Sequence, residues 1–224
     1  MEPYRLALAW VLILCTLQTP APVSEPEFMN RQVALDHLPR ISAEAISFLL
    51  AQARAPGGII SIYSGCAKPN PQTFSLAETS LKQGLDYVST VDPARKWTYA
   101  DGLILVGLER ANDTILNTLI SDIEIRPGDA LSLSAQRMLH TSEVQTSIEK
   151  AGLNEITPEL GFGQISRNPK PSVSETSQPN TRLQGVTLAK ALNTLASMKG
   201  TAVWEYEQFT CNGKSSFRLT WLVK

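Results

Sequence analysis

Part of this chain is written twice, and that restricts what it can fold into. Leu81, Leu85, Val88, Trp97 and Tyr99 recur as Leu188, Leu192, Leu195, Trp204 and Tyr206, at a constant offset of 107 residues and without a gap over residues 80–99. Self-similarity at fixed spacing marks a repeated structural unit. The first three anchors of each copy fall at i, i+4 and i+7, one face of a helix. The aromatic pair that follows lies two apart, so both rings share one face of a strand.

The rest of each copy extends this frame. In the first, residues 32–35 alternate as a short strand, and Ser42 is placed to cap a helix. Ile46, Leu49, Leu50 and Ala53 form the apolar stripe of that helix, which Pro56-Gly57-Gly58 stops. Residues 59–63 are β-rich, residues 65–72 read as a proline-containing loop, and residues 73–76 as a brief strand. Ser80 and Gln83 have the spacing of a capping box for the Leu81 helix. Asp101-Gly102 then suits the type I′ turn of a hairpin. In the second copy, residues 123–125 alternate, Pro127-Gly128-Asp129 turns the chain, and Val144, Ile148 and Ala151 make a helical stripe ended by Gly152. A strand is expected at residues 159–165. Residues 168–180 hold three prolines and three serines and read as a flexible insertion. Residues 183–186 restart the core ahead of the Leu188 helix. A longer Cys-Asn-Gly-Lys turn at 211–214 leads to a returning strand with Phe217, Leu219 and Trp221 alternating.

This pattern predicts an α+β protein of two small β-α-β-β-α-β-β-like repeats. The first spans residues 28–110, a linker covers 111–119, and the second spans 120–224 with the insertion at 168–180. Residues 1–25 read as a signal peptide. Arg5 and the chain amine precede an apolar run over residues 6–17, which is too short to span a bilayer, and Pro20, Pro22 and Pro26 follow. Cys15 lies within that run, but the large Leu14 before it departs from a lipid-attachment motif. Export to the periplasm is therefore expected, with no transmembrane span in the mature chain. An oxidising compartment would permit a disulfide between Cys66 and Cys211; the alternative is two buried free thiols, and sequence leaves both open.

The chain offers little for chemistry. Lys and Arg (20) nearly balance Asp and Glu (21), the pI is about 6.2, and no basic run occurs, which argues against nucleic acid as a partner. There are two histidines, His37 and His140, with no paired-histidine or CxxC spacing, so no metal site is expected. His140 and Glu143 could share a helix face as an acid–base pair, but such pairs are more often solvated surface contacts. Cys66 follows a strand with no base nearby to activate it. No catalytic residue, cofactor site or cofactor is expected. Trp97 with Tyr99, and Trp204 with Tyr206, are read as rings covering the leucine stripes rather than as a ligand-stacking surface.

The segment FSLAETSLKQGLDYVSTVDPARKWTYADGLILVGL (residues 74–108), and its echo RLQGVTLAKALNTLASMKGTAVWEYEQF (residues 182–209), resemble the STN module found at the N-terminus of secretins and TonB-dependent receptors. That family joins a short strand to a helix of the form S/T-L-x-x-A/G-L-x-x-L, then a hairpin with an aromatic residue and D-G-x-I-x-V. The resemblance implies a non-enzymatic periplasmic module that binds another protein of the cell envelope, and it brings no catalytic residues. The alternatives are a small periplasmic enzyme and a small-ligand-binding domain. Residues 168–180 and the last strand, 215–223, are the expected partner contacts, with Ser215, Phe217 and Trp221 as the contact residues.

Overall fold

The computed structural model describes residues 26–66, 68–107, 109, 114–126, 128–156 and 180–222. The expected signal segment, the strand at 159–165 and all of the 168–180 insertion except Asn180 lie outside the described residues. The fold is α+β, as the pattern predicts. In chain order it comprises β1 (Gln32–Arg40), α1 (Ser42–Ala53), β2 (Gly57–Tyr63), β3 (Gln72–Ser80), α2 (Leu81–Val91), β4 (Trp97–Ala100) and β5 (Leu103–Val106). These are followed by β6 (Leu119–Ile125), α3 (Leu131–Leu139), α4 (Ser142–Lys150), β7 (Leu153–Glu155), β8 (Thr181–Thr187), α5 (Leu188–Lys199), β9 (Val203–Cys211) and β10 (Lys214–Leu222).

Local chemistry sets many of these boundaries. The Ser80 side chain accepts the Gln83 N–H at 3.3 Å, and the Gln83 side chain returns a bond to the Ser80 backbone, completing the capping box of α2. At the matching place in α5 the Thr187 hydroxyl accepts the Lys190 N–H at 3.2 Å. Both hairpins turn through two left-handed residues, Asp101-Gly102 and Asn212-Gly213. The second turn is thus no longer than the first; what differs is strand length, nine residues against four. Helix α1 begins one position earlier than expected. Ile41 holds the cap position in extended conformation, and Ser42 is the first helical residue, buried.

Two expectations are corrected. Helix α3 has no counterpart in the sequence reading; its stripe of Ala135, Met138 and Leu139 is short but buried. Residues 115 and 116, assigned to a linker, form part of a 3-10 turn (Ile115–Asn117) whose Ile115 and Leu116 side chains are in the core.

Six strands form one sheet in the order β4-β5-β2-β9-β10-β7. Its two halves are built alike. Strands β4 and β5 are antiparallel and β5 and β2 parallel; β9 and β10 are antiparallel and β10 and β7 parallel. The halves meet where β2 and β9 run parallel over seven residue pairs, from Gly57 opposite Val203 to Tyr63 opposite Phe209. Two-stranded sheets, β1-β3 and β6-β8, lie apart from the central one. Helices α1 and α2 pack with β1 and β3 on one face of the central sheet, where Ile59, Ile104, Val106 and Val203 meet them. Helices α3, α4 and α5 lie on the opposite face, against Ile60, Leu103, Leu105, Trp204, Tyr206 and Phe217. Alternation along the strands splits the core in two, which is why β2 and β5 are buried on both faces along almost their whole length.

Gly58 shows how closely the halves are fitted. A Cβ there would lie 2.2 Å from the Trp204 ring, its neighbour across the β2–β9 seam. Glycine is required at this position because an indole occupies the space of its side chain.

Candidate functional site

Phe217 is fully buried (0% exposed), packed in the second core and stacked on Tyr206 at 5.9 Å between ring centroids. Strand β10 is not an edge at this point, because Ser215, Ser216 and Phe217 pair with β9 on one side and with β7 on the other. Phe217 therefore cannot be a partner contact. Ser215 and Trp221 are half-buried, and Trp221 packs against the same core.

Cys66 and Cys211 are bonded, with Cα atoms 4.6 Å apart and a sequence separation of 145. The residues weighed for catalysis are not assembled. Cys66 is consumed in the disulfide. Glu143 accepts hydrogen bonds from the Ser121 N–H (3.0 Å), the Ser121 hydroxyl and the Ser142 hydroxyl, and these, led by the Ser121 hydroxyl, pull its carboxyl down to about 2. His37 and His140 are exposed on β1 and just past α3. Among the described residues, no hydrogen bond or ion pair joins any two of the four. No group of three or more metal-ligating side chains occurs among them either.

The aromatic pairs divide. Trp204 and Tyr206 are buried, and the Trp204 indole N–H donates to Asn193 Oδ1 at 2.9 Å. Trp97 is half-buried, and its N–H donates to Asp86 Oδ1, also at 2.9 Å. Asp86 and Asn193 stand at the same 107-residue offset. Tyr99 departs from the core reading: it is 36% exposed and meets the Phe28 ring edge-on.

That exposure follows from where β4 sits. It is an end strand of the central sheet. Ile104 donates its N–H to Pro56 O at 3.1 Å, so its backbone groups face β2. Its antiparallel partner Tyr99 must then direct its own N–H and C=O away from β5. Trp97, two residues earlier, does the same. Among the described residues no strand pairs with the β4 edge, so it presents outward backbone groups, the feature that lets a sheet accept a further strand.

A second arrangement escaped sequence reading. Glu205 and Glu207 alternate with Trp204 and Tyr206 on β9, so they share the face of Val203, beneath α1. In a Trp-Glu-Tyr-Glu pattern the acids read as the wet face of a half-buried strand. Here they are 9% and 1% exposed. Glu207 is paired with two cations: Arg218 directs Nε (2.8 Å) and Nη2 to its Oε2, and Lys68 Nζ lies 2.9 Å from Oε1 as an ion pair. Lys68 also reaches Glu44 of α1 at 3.8 Å. Burial works against the Lys68 ammonium, but the hydrogen bond and charge of Glu207 outweigh it and raise its pKa. Arg95, itself buried, donates to the Ile60 carbonyl (3.0 Å) and the Ser61 hydroxyl (2.9 Å), the latter opposite Glu207 across the seam.

Glu205 is the odd member. Its Oε1 is buried without a hydrogen-bond donor among the described residues. Burial, and secondly the charge of Glu207, push its carboxyl up to about 7, against the pull of Lys68, Arg218 and Arg95. It exchanges a proton near neutral pH. Perturbed acids concentrate at functional sites, though structural ion-pair networks shift them too.

The sequence matches no protein-family model, and no curated protein or solved structure matches it significantly. Among the described residues no helix is long and apolar enough to cross a membrane.

Proposed function

We propose that the protein is an exported, non-enzymatic docking module built from two STN-like units, and that it binds a protein of the cell envelope by adding a partner strand to the β4 edge. The observation that carries this reading is the open edge at Trp97 and Tyr99, whose backbone groups point out of the sheet. Strand addition uses such groups for affinity and flanking side chains for specificity. The STN-like identity is supported by the order strand, helix, strand, strand, helix, hairpin in the first half. It is supported further by the matched caps at Ser80 and Thr187 and the matched indole bonds to Asp86 and Asn193. The Cys66–Cys211 bond agrees with an oxidising compartment, as export would provide.

The test is site-resolved crosslinking in whole cells of the source organism. A photo-reactive residue at Thr98 on β4 should capture one defined envelope protein, and capture should be competed away by excess unlabelled protein. The same probe at Arg182, on the separate β6-β8 sheet, should not capture it. Equal capture from both positions would contradict docking at β4.

A further inference from the structure

The loop between β2 and β3 crosses above the buried acids. It leaves β2 after Tyr63 and enters β3 at Gln72, and apart from those ends its side chains make, among the described residues, two attachments to the rest of the molecule. One is the disulfide from Cys66 to Cys211 at the end of β9. The other, two residues on, is Lys68, held by Glu207 and Glu44. Among the described residues the loop donates and accepts no backbone hydrogen bond outside its flanking strands. Ser64, Cys66, Pro69, Asn70 and Pro71 are all exposed.

We infer that the Cys66–Cys211 bond is a redox latch, which holds Lys68 over the buried carboxylates of β9 and on reduction lets Lys68 withdraw. The exposed Cys66 makes the bond accessible to an external thiol. The step requires a dithiol reductant. Its thiolate attacks the sulfur of Cys66 and displaces Cys211 as a thiolate. Its second thiol then closes the reductant's own disulfide and expels Cys66. The two cysteines together take up two electrons and two protons, and the dithiol loses the same.

Once released, the loop keeps, among the described residues, the ion pairs of Lys68 with Glu207 and, at 3.8 Å, with Glu44. One paired side chain must then offset the ordering entropy of the whole loop, which the disulfide no longer limits. Glu207 keeps its hydrogen bonds from Arg218 of β10, so one cation stays on the acid face when Lys68 leaves. The charged groups around that face are Glu44 on α1, Arg95 after α2, Arg218 on β10 and the two acids themselves.

The latch is tested by acylation of lysines in the full-length protein, oxidised and after complete reduction by dithiothreitol, with each site quantified by mass spectrometry. Lys68, protonated and paired in the oxidised protein, should react slowly and accelerate severalfold on reduction. The exposed Lys150 on α4 should keep the same rate in both states, and the far-UV circular dichroism should not change. The Cys66→Ser/Cys211→Ser double variant should behave as the reduced protein. An unchanged Lys68 rate in the fully reduced, folded protein overturns the inference. So does a uniform rise at every lysine with loss of helix signal, because the bond would then hold the whole molecule together rather than one loop.

Discussion

Glu205 is the residue whose environment departs furthest from what its sequence neighbours suggest. An acid raised from 4.5 to about 7 binds its proton more tightly folded than unfolded. Between those values the native state holds more protons than the unfolded state, so stability falls as pH rises through that window and levels off above it. The shift corresponds to about 3 kcal/mol for a fully buried group. Replacing Glu205 by Gln should therefore leave stability near pH 4 little changed and raise it by about 1–3 kcal/mol at pH 8, read from urea unfolding at both values. A variant with no greater advantage at pH 8 than at pH 4 would refute the proton-linked account of this group. Gly58 gives a second test at this scale. An added methyl would lie 2.2 Å from the ring of Trp204, which is itself buried and held by Asn193. Gly58→Ala should cost about 1–3 kcal/mol or more. Gly65, whose Cβ would meet nothing within 4 Å, should tolerate the same change.

Among the elements, helices α2 and α5 carry the repeat most openly, because what starts and orients them is local. Each has a hydroxyl cap, and the first residue of each donates its N–H to the chain beside the preceding strand: Leu81 to Arg31 O at 3.0 Å and Leu188 to Thr118 O at 2.9 Å. Ser80→Ala and Thr187→Ala should each cost about 1 kcal/mol. The two sites share no contacts, so the double variant should lose the sum within about 0.5 kcal/mol in thermal or urea unfolding. Caps, leucine stripes and the Asp-Gly and Asn-Gly turns were legible because each depends on residues within one or two turns. Helix α3 was not: its nine residues offer two turns of stripe, interrupted by serines that read as loop. The burial of Glu205 and Glu207 was not legible either. It depends on Lys68, Glu44 and Arg95, all more than 100 positions away in sequence. The expectation of Phe217 as a contact failed for a related reason. Alternation correctly placed it on one face with Leu219 and Trp221, but sequence could not show that β7 returns to pair beside it.

At the scale of the whole molecule, the two halves share a sheet while each keeps its own core on the opposite face. The β2–β9 seam is the structural reason that neither half is an independent body: Gly58 accommodates Trp204 across it, and Lys190 of α5 pairs with Asp101 in the hairpin of the other half. The disulfide closes a loop of 145 residues over the same seam, worth about 5 kcal/mol if only the entropy of the unfolded chain counts. What remains open is the outer rim. Of the two end strands, β7 is three residues long, and β4 carries the outward backbone groups and the exposed Tyr99. The measurement that bears most directly on docking is the yield of the Thr98 photo-crosslink in cells carrying Tyr99→Pro beside cells carrying Tyr99→Phe. Proline removes the outward N–H without touching the β5 ladder, whereas phenylalanine keeps it. The account predicts loss of the crosslink with proline and retention with phenylalanine; an undiminished yield with proline would contradict it.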